Sequence, residues 1–374
     1  MTASGRRRGV GGKQGTGFFS LINVASSGYT PGIMFAQLLG VVLSLLVNAP
    51  APERLDDPLT NLTREIPEGR VLVAEASDEG ERPQQIRESL GPVLQAPAYI
   101  VVDLGSGAVL TSREPSAVRP VASLAKLLTA LTVVRQADPE DIVTVSARAV
   151  RAGRKGADMD LVAGEPIRVQ DLLAGLLIPS ANDAAVALAE HVGGSEAAFA
   201  TLMSATADTL GLSRTRVENA TGFDSLAQFS SAYDVALLVA EAWKDPVLGV
   251  LLRTEKVRVA SVDGRQRHLL QTTNRLLGIR SDVLGGKTGF TDDAGESLAV
   301  VAESPDPFSG APLGNPAESR SDSLGTPALR IRAANPKGTP GGHPVVAVVL
   351  GSPDRFADME NLLNWTFWAY TWSP

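Results

Sequence analysis

Residues 123–134 read SLAKLLTALTVV, and the fold turns on how this run is read. It is apolar on almost every side, so as a helix it presents no polar face and belongs at the centre of the molecule. Pro120 stands just ahead of it as a start signal. The single charge in the run, Lys126, falls in the first turn among Leu124, Ala125, Leu127 and Leu128. A lysine in such surroundings loses part of its affinity for a proton. Ser123 is three residues earlier, on the same helix face, so a neutral Lys126 amine could take the proton of the Ser123 hydroxyl and leave a nucleophile. The bland alternative is that Ser123 caps the helix and Lys126 snorkels to solvent. A lone Ser-x-x-Lys favours that alternative.

Outward from this helix, Tyr99–Asp103 (YIVVD), a Gly-Ser-Gly turn at 105–107 and Ala108–Leu110 predict a hairpin. Helices are expected at 170–178, 183–191, 197–210 and 232–243. Strands are expected at 257–262, 282–286, 297–302 and 345–350, followed by an amphipathic segment at 359–370. Strands at both ends with helices between them predict an α/β fold, an antiparallel sheet flanked by helices with an inserted helical subdomain. The closing helix, with Trp365, Trp368 and Trp372, is expected to pack on the sheet rather than lie on a membrane. Residues 303–344 hold eight prolines and six glycines between two strands that should pair, which predicts a disordered insertion at a hairpin tip.

The N-terminal quarter has a different character. Residues 1–32 carry Arg6, Arg7, Arg8 and Lys13, a basic flank that marks a cytoplasmic end. Ile33–Val47 (IMFAQLLGVVLSLLV), or 33–49 with Asn48 and Ala49, is long for a signal-peptide core and short for a spanning helix. Both readings engage the membrane and export the rest of the chain. Pro50 and Pro52 follow the alanines where cleavage would fall, which points to an uncleaved signal-anchor. Residues 50–95 are rich in Pro, Glu, Asp, Arg and Gln and read as a flexible linker, with a folded catalytic domain at 96–374.

Composition excludes several functions. Thirty-four basic against 41 acidic residues give a net charge of −7 without a basic stripe, so no nucleic-acid partner is expected. With no cysteine there is no thiolate metal site and no cysteine nucleophile. His191, His268 and His343 stand apart and form no ligand spacing, so neither a metal nor a cofactor is expected.

Two further motifs join Ser123 and Lys126. Ser180-Ala181-Asn182 lies in a loop between predicted helices, where alone it would be a helix cap. Lys287-Thr288-Gly289 follows a predicted strand, where alone it would be a turn with a solvated lysine. All three together, in this order, form the set found in penicillin-binding proteins and class A β-lactamases. Around them, residues 94–374 resemble the low-molecular-weight penicillin-binding proteins, serine-type D-alanyl-D-alanine carboxypeptidases, in LVAGEPIRVQDLLAGLLIPSANDAAVALAEHVGG, TRVENATGFD and TTNRLLGIRSDVLGGKTGFTDDAGESLAVVAE.

The resemblance implies a β-lactamase/D,D-peptidase-like fold and action on peptidoglycan stem peptides ending in D-Ala-D-Ala, with β-lactams as covalent inhibitors. It further implies that Ser123 is acylated, that Lys126 takes its proton, and that Ser180 relays a proton to the leaving group. Asn182 would hold the peptide, Lys287 and Thr288 the terminal carboxylate, and the N–H groups of Ser123 and Phe290 the oxyanion, with Gly289 also among the substrate-binding residues. Gln228, Phe229 and Val121 depart from the family pattern, which has His, Tyr and Pro there. The rival readings are a class A-like β-lactamase, for which Glu218 is the nearest deacylating base, and a non-catalytic wall- or β-lactam-binding protein of the same fold.

Overall fold

The computed structural model describes residues 82–87, 90–304 and 342–372. β1 (Pro83–Gln85) precedes β2 (Ala98–Asp103) and β3 (Val109–Arg113), and a 3-10 turn, Ala122–Ala125, leads into α1 (Lys126–Gln136). Next come β4 (Ile142–Thr144), α2 (Ala147–Gly153), β5 (Pro166–Arg168), α3 (Val169–Leu177), α4 (Asn182–Gly193), α5 (Glu196–Thr209), α6 (Ala232–Lys244) and α7 (Leu248–Leu252). The C-terminal part holds β6 (Lys256–Ala260), β7 (Arg267–Gln271), β8 (Val283–Thr291), β9 (Gly295–Ser304), β10 (His343–Ser352), α8 (Arg355–Ala369) and β11 (Tyr370–Trp372).

The main sheet has the order β3-β2-β10-β9-β8 and is antiparallel throughout. It is completed by strands from both sides of the helical segment, as the sequence pattern predicts. Its central strands are apolar on both faces because both faces are covered. Ile100, Val102, Ala299, Val301, Val346 and Val348 point into the core shared with the helices. Their alternates Tyr99, Val101, Leu298, Val300, Val345 and Val349 meet Met359, Leu362 and Leu363 of α8. Each such Val, Leu or Ile contributes roughly 1.5–3 kcal/mol relative to exposure, so the two-sided burial holds the sheet rigid under the site. The first core also encloses α1, whose residues from Lys126 to Val133 are all buried.

Several expected boundaries move. The folded part starts before Ala96: β1 pairs with β11, Pro83 opposite Trp372, and Leu94 is buried, so part of the expected linker is structured. Trp372 is not in the closing helix but in β11, where its ring stacks on His343 and its Nε1 donates to Asp103 at 2.8 Å. The strand expected at 282–286 runs on as β8 to Thr291, so Lys287 lies inside an edge strand of the sheet and not in the turn that the motif alone would suggest. β9 and β10 do pair as a hairpin, with Ser304 opposite His343, so residues 303, 304, 343 and 344 belong to strands rather than to an insertion. Residues 305–341 lie outside the described residues, as do 1–32, the apolar segment 33–49 and residues 50–81. Among the described residues no helix is long and apolar enough to cross a membrane.

Candidate active site

Ser123 sits in the 3-10 turn that opens into α1. Ala122, just before it, has φ +49°, a left-handed conformation that costs a residue with a Cβ of order 1–3 kcal/mol and is held by its surroundings. The surroundings are tight. A Cβ at Gly222, whose φ is +83°, would lie 2.2 Å from the Ala122 carbonyl oxygen, and one at Gly289 would lie 2.8 Å from that of Val121. Only glycine lets the 218–223 loop and β8 close on the turn from two sides. Gly289 thereby brings the Phe290 amide next to the turn that carries Ser123.

Lys126 is fully buried, with its Nζ 2.9 Å from the Ser123 Oγ, 2.8 Å from Asn182 Oδ1 and 2.5 Å from the Thr221 carbonyl oxygen. Burial lowers its pKa from 10.5 to about 7, against the opposing pull of Asp183. A neutral amine has two hydrogens and one lone pair. Its hydrogens match Asn182 and Thr221, and its lone pair is left to accept from the Ser123 hydroxyl. The snorkelling alternative therefore fails on geometry.

The second motif does not cap a helix either. Ala181 is the residue before α4, and no side chain caps that end. Asn182 spends its oxygen on Lys126, while its Nδ2 faces Gly156, where a Cβ would lie 2.9 Å away. Ser180, at φ +69°, is buried with its Oγ unpartnered among the described residues. An unpaired buried hydroxyl costs about 1–3 kcal/mol, and this one lies on the wall of the cavity. Asp183 next to it accepts from the amides of Met159 and Leu161 and so pins the rim containing Gly156 and Ala157.

Ser123, Ser180, Asn182, Thr288, Gly289 and Phe290 line one cavity of about 500 Å³. The two lysines lie behind its wall. Lys287 is fully buried and donates to the Thr288 carbonyl oxygen at 3.0 Å. Its pKa is driven well below the ordinary lysine value by burial first, then by the charges of Lys126 and Arg355. Thr288 shares a short hydroxyl–hydroxyl contact with Thr273.

Two parts of the site escape a sequence reading, and a third, Gln228, shows in the sequence only as a departure from the family pattern. Arg355, at the start of α8, lines the cavity and donates from Nη1 to the Gly289 carbonyl oxygen at 2.8 Å, while its buried Nε has no hydrogen-bond partner among the described residues. Thr221 supplies the third contact to Lys126. Gln228 holds the loop that carries Thr221: its Oε1 accepts from the Glu218 and Asn219 amides, each at 3.0 Å, and its Nε2 donates to the Phe223 carbonyl oxygen. Gln228 thus fills the place of the expected histidine with a working hydrogen-bond set. Glu218 is exposed, accepts from the Ser225 hydroxyl, and does not line the cavity.

A half-buried serine beside a fully buried lysine, opening on such a cavity under an antiparallel sheet with a helical insert, defines a class of acyl-transferring serine enzymes. The family model described as D-alanyl-D-alanine carboxypeptidase, peptidase family S11, matches residues 85–306, more than half of the chain. The protein belongs to that family. It is 32% identical over 215 residues to the D-alanyl-D-alanine carboxypeptidase DacF of Bacillus subtilis, covering 56% of this chain and 54% of that one. It is 30% identical over 289 residues to DacC of Escherichia coli, covering 74% and 62%. The chain thus spans between about half and two thirds of the length of these curated relatives. Among solved structures, a D-alanyl-D-alanine carboxypeptidase from Mycobacterium tuberculosis superposes with a TM-score of 0.61 at 24% identity, over 78% of this chain and 99% of that one. A Streptomyces DD-transpeptidase gives 0.61 at 23% identity, over 75% and 99%. These likenesses establish the fold.

Proposed function

We propose that the protein is a serine-type D-alanyl-D-alanine carboxypeptidase that trims peptidoglycan stem peptides through an acyl-enzyme on Ser123 and is acylated by β-lactams. The observation that carries this reading is the buried Lys126 amine, with a pKa of about 7, held 2.9 Å from the Ser123 hydroxyl. Ser123 gives its proton to the neutral Lys126 amine, and its Oγ attacks the carbonyl carbon of the last peptide bond. The N–H groups of Ser123 and Phe290 receive the negative oxygen, a charge that exists only in the transition state. As the C–N bond breaks, the Ser180 hydroxyl passes its proton to the departing D-alanine amine and takes in exchange the one held by Lys126, which returns to the neutral amine. Water then attacks the ester, releases the shortened peptide and restores Ser123.

Asn182 and the edge of β8 at Thr288 and Gly289 hold the peptide. Thr288 and Arg355 meet the terminal carboxylate, with Lys287 adding its field from behind the wall. Arg355 favours a substrate with a free carboxylate over an internal bond. The competing endopeptidase reading has support from a Pseudomonas aeruginosa relative named D-alanyl-D-alanine endopeptidase, 33% identical over 55% of this chain and 67% of that one. The exposed Glu218, tied to Ser225, offers no deacylating base in the cavity, which supports a long-lived penicilloyl adduct over β-lactamase turnover.

The catalytic unit works outside the cytoplasmic membrane, where its substrate is, with residues 33–49 as the membrane anchor and residues 1–32 on the cytoplasmic side. Intact mass spectrometry of the full chain with benzylpenicillin tests the reading: an adduct on the wild type that is missing from Ser123→Ala, together with D-alanine release from a pentapeptide ending in D-Ala-D-Ala, is expected. No adduct with the drug intact would leave a binding protein. No adduct with the drug consumed would make it a β-lactamase.

A further inference from the structure

A second cavity, of about 470 Å³, lies between the β6–β7 hairpin and the corner where β5 meets α3. It shares no lining residue with the catalytic cavity. A backbone hydrogen bond from the Val262 amide to the Pro166 carbonyl oxygen, 2.7 Å, fastens its two walls. Three guanidinium groups line it: Arg168, Arg258 and Arg267. Arg168 is paired with Glu140 at 3.1 Å. Arg258 and Arg267 are exposed and have no ion-pair partner among the described residues. The register sets Arg258 opposite Leu269 and Arg267 opposite Ala260, so both arginines leave the same face of the hairpin as diagonal neighbours within reach of each other. Two uncompensated cations so placed repel, and a single anion between them removes the repulsion and gains charge-assisted hydrogen bonds from both.

The floor of the cavity has the opposite character. Asp171 is only 7% exposed, yet its carboxylate accepts no hydrogen bond among the described residues. Beside it, His268 and Glu165 are buried and joined at 2.7 Å, so they satisfy each other. Burial raises the Asp171 pKa to about 6, with the Arg168 and His268 charges opposing and the Glu140 charge adding, so at pH 7 the group is mostly anionic and its carboxylate is open to a donor from the cavity. None of these groups takes part in chemistry at Ser123. An anion at the rim and a hydrogen-bond donor at the floor are what an acidic sugar presents, with its charged substituent on one edge and hydroxyl or amide groups on another.

We propose that this cavity is a second binding site for an acidic sugar unit, whose carboxylate or phosphate bridges Arg258 and Arg267 and whose hydroxyl or amide donates to Asp171. β7 leads from here to Thr273 on the wall of the catalytic cavity, a path of about 15 Å at roughly 3.3 Å per residue. A single wall polymer can therefore reach both cavities, with a phosphate-bearing chain or a peptide-free muramic acid residue, whose carboxylate is not amidated, here and a stem peptide of a neighbouring residue at Ser123. That extension rests on the peptidase reading; the sugar site itself does not.

The test titrates N-acetylmuramic acid, glycerol 3-phosphate and neutral N-acetylglucosamine into the full chain, following the backbone amide NMR signals of His268 and Leu269. Saturable shifts are expected with at least one of the two anions, and binding should weaken about tenfold or more in the R258A/R267A variant. Saturation by N-acetylmuramic acid assigns the glycan carboxylate, and saturation by glycerol 3-phosphate assigns a phosphate-bearing polymer. No saturable shift with either anion, equal binding by the neutral sugar, or equal binding by R258A/R267A overturns the proposal. Acylation of Ser123 by benzylpenicillin should be unchanged in that variant and reports its folding; R258Q/R267Q replaces it if the alanines unfold. A wild type that binds the acidic sugar but is not acylated sinks the peptidase reading and leaves this site standing.

Discussion

Replacing Lys126 by arginine keeps the charge and removes the base. Burial brings the Lys126 pKa from 10.5 to about 7, with Asp183 opposing it. At the ordinary value only about one amine in three thousand would be neutral at pH 7, whereas at about 7 roughly half are, a gain on the order of a thousandfold in competent base. The acylation rate constant of the wild type should therefore climb about tenfold per pH unit up to about pH 7 and level off above it. Arginine stays protonated throughout, so Lys126→Arg should acylate about 100- to 10,000-fold more slowly, with no such rise. Stopped-flow acylation by a fluorescent penicillin between pH 5 and 9 reads both profiles.

The same shift has a consequence for stability. Between pH 7 and 10.5 the lysine of the unfolded chain holds a proton that the folded amine has shed. The unfolded state then binds more protons, and stability rises with pH by about 1.4 kcal/mol per unit, about 5 kcal/mol in all. Lys287 adds a slope of the same sign, so the contribution of Lys126 is read as the difference between urea melts of the wild type and Lys126→Met. An acylation inflection near pH 10, a Lys126→Arg rate within about tenfold of wild type, or a difference flat with pH would each refute the buried-base argument.

Gly222→Ala should lower stability by about 1–3 kcal/mol and slow acylation, since its φ of +83° and a contact of 2.2 Å to the Ala122 carbonyl force the nucleophile turn to move; melting temperature and acylation rate check it. Gln228→Leu leaves the Glu218 and Asn219 amides without their acceptor and should cost about 1–3 kcal/mol in a urea melt. Arg355→Ala should raise KM for a peptide ending in D-Ala-D-Ala by about tenfold or more while changing kcat less, and equal effects on the two would argue against a carboxylate contact.

The parts of this site that were legible in the sequence are those whose signal is local. Lys126 stands out because it interrupts an apolar helix, and Ser180 and Asn182 because they fall in a short gap between two periodic segments. Lys287 is legible as a motif at the end of an edge strand, but the length of that strand is not. The glycines of VLGGKTGFT make the strand read as ending at Gly286, yet Gly289 is there to let it approach the Val121 carbonyl. Arg355 carries no local signal: it is an arginine at a helix start, and the long segment between β9 and β10 separates it from the strand it touches. β7 hides behind the polar Arg267 and His268, and the burial of His268 depends on Glu165 a hundred residues away. Trp372 continues the aromatic pattern of α8, but pairing with β1 takes it out of the helix.

The catalytic cavity concentrates features that work against folding. Ala122 and Ser180 hold positive φ, Lys126 and Lys287 are both fully buried, and the Ser180 hydroxyl has no partner among the described residues. Each costs on the order of 1–5 kcal/mol, and together they rival the 5–15 kcal/mol by which a domain is ordinarily stable. Such a set persists only where the surrounding structure over-determines it. Here the sheet is buried on both faces, β8 is pinned to the nucleophile turn through Gly289, and the 218–223 loop is fixed by Gln228. The desolvation that makes Lys126 expensive is also what makes it a base at neutral pH, so neutralising that cost with a methionine removes the reactivity with it. The rigidity of the scaffold is therefore a condition of the chemistry: a looser sheet would admit water to Lys126, restore its pKa and silence Ser123 without touching either residue.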